Sequence, residues 1–105
     1  MMAERLKISI SKTSMVKGAE IEIMNKYGFD VQGSYGCEVR VRSGRGEWVE
    51  GLDILRYNES VMICKVERFE GDMFLRVYDG NEDMNSNEIQ IEVRNNVDMK
   101  SLSPT

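Results

Sequence analysis

Apolar residues fall at alternate positions in six short runs of this chain. Leu6, Ile8 and Ile10 alternate with Lys7 and Ser9, and Ile21 and Ile23 with Glu20 and Glu22. Cys37, Val39 and Val41 enclose Glu38 and Arg40, while Met62, Cys64 and Val66 share one parity. Met73, Leu75 and Val77 repeat the pattern, as do Ile89, Ile91 and Val93. Side chains of an extended strand point to opposite faces in turn, so each run has one face for a core and one for water. No stretch of helical length carries a 3.6-residue apolar period. The pattern therefore predicts strands.

Turn-forming residues separate the runs. "VKGAE" precedes the second, "NKYGFDVQGSYG" the third, and "SGRGE" and "EGD" lie further along. Short strands spaced in this way predict two antiparallel sheets packed face to face, with the alternating apolar residues between them. Leu52 to Tyr57 can be read as a further strand or as a turn. Counted as a strand, it gives an all-β sandwich of about seven antiparallel strands. Trp48, the sole tryptophan, is expected to fill the core or cover an edge. The tail from Asn95 to Thr105 lacks strand alternation and is expected to be loose. The chain thus divides into an arm over 1–5, a domain over 6–94 and a tail over 95–105.

Composition narrows the function. The 105 residues are 41 % hydrophobic and 30 % charged, the balance of a soluble globular domain. Fourteen lysines and arginines face 18 acids, for a net charge of −4. A general nucleic-acid binder needs a basic face to displace counterions, so nucleic acid is not an expected partner. No apolar run approaches the ~20 residues that span a bilayer, and the start "MMAERLKISISKT" has no apolar core of a secretory signal. Cys37 and Cys64 each lie in an apolar alternation and are expected to be buried thiols rather than a bridge.

The candidate chemistry is sparse. The chain has no histidine, which removes the commonest general base and the commonest zinc ligand. Two cysteines cannot build a structural zinc site without carboxylate help. No catalytic residue, cofactor or metal ligand is expected, and no enzyme activity. "YDGNEDMNSNE" begins like a calcium loop, with Asp79, Asn81 and Asp83 at alternate places. Such a loop needs glycine at its sixth place and glutamate at its twelfth, where this chain has Met84 and Gln90. The stretch is better read as a polar turn between the last two strands, although a calcium site of another geometry stays open.

Two groups are candidates for partner binding. Arg40 and Arg42 share a strand face, and Arg45 follows in the turn. Together they could meet phosphate or an acidic partner, or they could be a solvated face balanced by Glu38, Glu47 and Glu50. Tyr27, Phe29 and Tyr35 lie among glycines in one connection. They could anchor an interface or stack on sugar, or Phe29 could tuck into one end of the sandwich.

The order of these features resembles the IPT/TIG branch of the immunoglobulin-like domains. The residues that carry the resemblance are Lys17 and Gly18 in a turn before Ile21 and Ile23, then Gly28 and Phe29, the run Met62 to Val66, Gly71, Leu75 and Val77, and Asn87 before the last strand. It covers about residues 6 to 94. The family normally carries a proline after its fifth strand, whereas Pro104 is the one proline here. The resemblance implies an immunoglobulin-like β-sandwich and a binding or structural module, with no catalytic residues to carry over. A short chain of this kind without a signal looks like an auxiliary or decoration protein of a tailed-phage capsid or tail. Its partners would be other protein subunits, gripped by its termini and by the Arg40, Arg42, Arg45 face, and it would reside in the virion. The alternative is a carbohydrate- or cell-surface-binding module of a larger extracellular protein, using Tyr27, Tyr35 and Trp48.

Overall fold

The computed structural model describes residues 6–29 and 36–95. Tyr35, the arm over 1–5 and residues 96–105 of the tail lie outside the described residues. The described residues form ten strands: β1 (Ile8–Ile10), β2 (Ser14–Val16), β3 (Glu20–Asn25), β4 (Cys37–Arg42), β5 (Val49–Glu50), β6 (Asp53–Tyr57), β7 (Val61–Lys65), β8 (Gly71–Asp79), β9 (Met84–Asn85) and β10 (Ile89–Arg94). Among them there is no helix, and so none long and apolar enough to cross a membrane. One sheet runs β1-β3-β7-β6, antiparallel throughout. The other is six-stranded, in the order β2-β10-β8-β4-β5, with β9 paired to the end of β8. Its β2–β10 pair is parallel and its other pairs are antiparallel.

The alternating residues meet where the period of two places them. Ile21, Ile23, Met62, Cys64 and Val66 from the first sheet pack against Val39, Val41, Leu75, Val77, Ile91 and Val93 from the second, all buried. Phe29, Leu52 and Met15 join them, with Leu6, Ile8, Cys37 and Met73. The expected all-β sandwich is observed.

The strand count exceeds the expected seven for identifiable reasons. β1 and β2 belong to different sheets, because the chain crosses the sandwich at the polar residues Ser11–Thr13. The odd spacing between Ile10 and Met15 breaks the period there. Past β2, the turn ties the sheets together. Lys17 N–H donates to the Arg94 carbonyl at 2.7 Å, on the six-stranded side. Gly18 N–H donates to the Val66 carbonyl, on the other side. Gly18 sits at φ 97°, a conformation that favours glycine.

Of the segment Leu52 to Tyr57, Asp53–Tyr57 form strand β6 and Leu52 precedes it. Its register against β7 shifts between Ile54 and Arg56, so Leu55 bulges out and is exposed. A bulge resets the parity of inward residues, leaving Ile54 and Tyr57 against the core at an odd spacing. That break is why the segment does not declare itself in the sequence.

The polar stretch after β8 is a hairpin turn into β9. Asp79 is buried and its Oδ1 accepts the Asn81 N–H at 2.8 Å, an Asx turn. Asp83 takes φ 51° and its Oδ1 accepts the Tyr78 hydroxyl proton at 2.6 Å. Among the described residues, no three acidic or cysteine side chains converge as a metal site. Ser86, between β9 and β10, continues the ladder with its side chain. Val77 N–H donates to Ser86 Oγ at 2.8 Å, and Ser86 N–H returns to the Val77 carbonyl at 2.8 Å.

Cys37 and Cys64 are buried thiols not joined by a disulfide, on strands of opposite sheets. Burial pushes the Cys64 thiol up to about 12.

Candidate functional site

The inward residues of β4 and β8 dictate what the six-stranded sheet shows to its surroundings. With Cys37, Val39 and Val41 inside, Glu38, Arg40 and Arg42 must face out. With Met73, Leu75 and Val77 inside, Phe74, Arg76 and Tyr78 must face out. The β4–β8 register then sets Glu38 opposite Tyr78, Arg40 opposite Arg76, and Arg42 opposite Phe74. On the far side of β4, Glu50 of β5 stands opposite Arg40. Trp48, two residues earlier, shares its parity.

Two arginines directly opposite each other on a sheet repel. Here the repulsion is offset by aromatic rings, whose faces attract cations. The Arg40 guanidinium carbon lies 4.0 Å from the Tyr78 ring centre. That of Arg76 lies 4.0 Å from the Trp48 ring. Arg42 lies between Trp48 at 5.1 Å and Phe74 at 5.4 Å. Three guanidiniums and three rings therefore interleave across β5, β4 and β8.

Carboxylates attend two of these arginines. Arg40 Nε donates to Glu38 Oε2 at 3.0 Å, and Arg42 Nη2 to Glu88 Oε1 at 3.4 Å. Arg76 makes no ion pair among the described residues. The Nε atoms of Arg42 and Arg76 are covered and have no acceptor among the described residues. Arg76 is held below the ordinary arginine range. Burial is the main cause, Arg40 and Arg42 push the same way, and Glu88 opposes them. The face thus holds fixed positive charge, partly stripped of water, beside apolar rings.

The candidate residues named from the sequence separate into distinct places. Arg40 and Arg42 are brought together. Arg45 is exposed in the Ser43–Gly46 turn, with no ring or carboxylate contact among the described residues. Tyr27 is 51 % exposed, with Lys26 Nζ 5.5 Å from its ring centre. Phe29 is buried at one end of the sandwich, edge-on to Tyr57 at 6.3 Å. Tyr27 and Phe29 line a cleft of about 360 Å³ with Leu6, Glu59, Asp79 and Glu82. Trp48 is not one of the core residues. It is half-buried on the outer face between two arginines, just before the edge strand β5. Arg76, Phe74 and Tyr78 were not singled out from the sequence. Their shared parity is visible there, but the register that lays them against Arg40 and Arg42 is not.

The crystal structure of the Lin-41 filamin domain resembles this chain over 86 % of its length and 94 % of that domain, with a TM-score of 0.52 and 14 % identity. The chain has an immunoglobulin-like fold. At that identity the likeness concerns the path of the backbone and assigns no role to any side chain. No family model and no curated protein match the chain.

Proposed function

We propose that this chain is a non-catalytic protein-binding module that attaches to its partner through the outer face of the six-stranded sheet. The observation that carries this reading is the layer of Arg40, Arg42 and Arg76 interleaved with Trp48, Phe74 and Tyr78. Tryptophan, tyrosine and arginine are the residues that most often dominate binding energy at interfaces. Stacking already restricts these arginines, so less side-chain freedom is lost when a partner arrives.

The specific form that the sequence resemblance suggests is an auxiliary virion protein. It would stabilise a capsid or tail by binding the assembled form, as any ligand of the folded state does by mass action. No cofactor enters this reading. A photoreactive residue in place of Gln90, on the arginine–aromatic face, should cross-link a partner. The same residue in place of Glu22, on the opposite sheet, should not. Arg42→Glu combined with Arg76→Glu should abolish that cross-link and co-sedimentation with assembled shells. Equal cross-linking from both faces would overturn the reading. The alternative, a glycan-binding module, draws on exposed Tyr27 beside its cleft. It requires glycan-array binding that Tyr27→Ala removes.

A further inference from the structure

We infer that the partner places one acidic side chain, an aspartate or glutamate ringed by basic residues, against the Arg40–Arg76 pair at the centre of this face. The inference rests on the proposed protein-binding role and adds the chemistry of the partner.

The charge pattern leads to it. β8 is an inner strand, flanked by β4 and β10, and Arg76 projects from its middle. Directly opposite is Arg40, a like charge. Arg40 and Arg42 have Glu38 and Glu88 within ion-pair distance, whereas Arg76 has an aromatic ring and, among the described residues, no ion pair, only the longer-range charge of Glu88. The centre therefore carries the least compensated charge. Around it lie Glu38 beside Tyr78, Glu50 opposite Arg40, and Glu88 against Arg42. Positive centre and negative rim together call for a partner of the opposite pattern.

Desolvation favours a fixed carboxylate at that centre. The covered Nε atoms of Arg42 and Arg76 have already lost water without gaining an acceptor. A carboxylate arriving at the outer nitrogens therefore strips less water from the guanidinium than it would from a free arginine. It also accepts from the guanidinium fork in a geometry that few other groups match. A polyanion fits poorly. Nucleic acid would carry its next phosphates over Glu38, Glu50 and Glu88, on a chain that is itself net −4. An unbroken acidic peptide meets the same repulsion.

Trp48 makes the test direct, since it is the sole tryptophan and stacks on Arg76. The full chain is titrated with four probes, read by Trp48 fluorescence. They are a short peptide with one glutamate flanked by lysines, the same peptide with glutamine for the glutamate, an all-glutamate peptide, and a single-stranded oligonucleotide. The first should bind saturably and weaken as salt rises. The glutamine version should bind about 10-fold more weakly or worse, as expected for loss of a charge-assisted hydrogen bond. Arg76→Gln should erase the difference between these two peptides while circular dichroism stays unchanged. If that variant does not fold, Arg40→Gln is read in its place. Equal binding of the glutamate and glutamine peptides, tightest binding of the all-acidic peptide or the oligonucleotide, or no binding by any probe would each overturn the inference. If cross-linking through position 90 persists and still depends on Arg42 and Arg76, only the partner chemistry has failed. If that dependence is also absent, the binding role has failed with it.

Discussion

The side-chain amide of Asn87 pairs with both backbone groups of Ile8. Ile8 N–H donates to Asn87 Oδ1 at 2.7 Å, and Asn87 Nδ2 donates to the Ile8 carbonyl at 3.2 Å. β1 is an edge strand, paired on its other side with β3. Asn87 thus acts as a one-residue strand on that edge, joining the connection before β10 to the opposite sheet.

Removing this link should loosen the contact between the sheets. Asn87→Ala gives up two hydrogen bonds, each worth ~0.5–1.5 kcal/mol net, so a loss of about 1–3 kcal/mol is expected in urea unfolding. Asn87→Asp retains the acceptor but cannot donate to the Ile8 carbonyl. It should also destabilise, and a neutral result would mean that the carbonyl bond contributes little.

Gly51 lies close under Val41. A Cβ placed there would stand 2.5 Å from Val41 Cγ2 and 2.9 Å from Cγ1. Gly51→Ala should cost about 1–3 kcal/mol, as overpacking does. Val41→Ala also destabilises by itself, since Val41 is 1 % exposed. The double variant should lose less than the sum of the two, because each change relieves the other. Strict additivity would show that the backbone moves away instead.

The buried Cys64 thiol links stability to alkaline pH. Its folded value is about 12, against 9.0 for the free group. Below pH 9 both states hold the proton, and stability does not change with this group. As pH rises from 9 towards 12, the unfolded chain releases a proton that the folded chain retains, so stability falls. Cys64→Ala should flatten that alkaline decline, whatever it does to stability at neutral pH. In the parent, Cys64 should react with a thiol reagent only as fast as the chain opens.

Tyr78 is held above the ordinary phenol range, chiefly by its hydrogen bond to Asp83, with burial and the Asp83 charge adding to it. Asp83→Ala should lower the Tyr78 titration, because the bond that favours the protonated phenol is gone and Arg40 still lies over the ring. An NMR titration of the Tyr78 ring reads the shift. An unchanged midpoint would assign the effect to burial and the Glu38 charge instead.

The period of two determined much of this molecule from sequence. It placed Ile21, Ile23, Val39, Val41, Leu75, Val77, Ile91 and Val93 inside, where the structure has them. It also set the outward parity of Arg40 and Arg42. Alternation is a property of a few neighbouring residues, since each side chain's direction follows from its own strand. It fails where the chain leaves the regular strand: at the crossing between β1 and β2, at the Leu55 bulge, and in the two-residue strands β5 and β9.

What lies next to what across a sheet has no local signature. The register of β4 against β8 joins residues more than thirty positions apart, and it alone sets Arg76 opposite Arg40. β5, through its pairing with β4, brings Trp48 over Arg42 and Arg76. The sequence by itself determined the sandwich and the face on which the arginines stand. Only the tertiary structure decided their company, because register is fixed by the packing of the whole core and not by the period of any one strand.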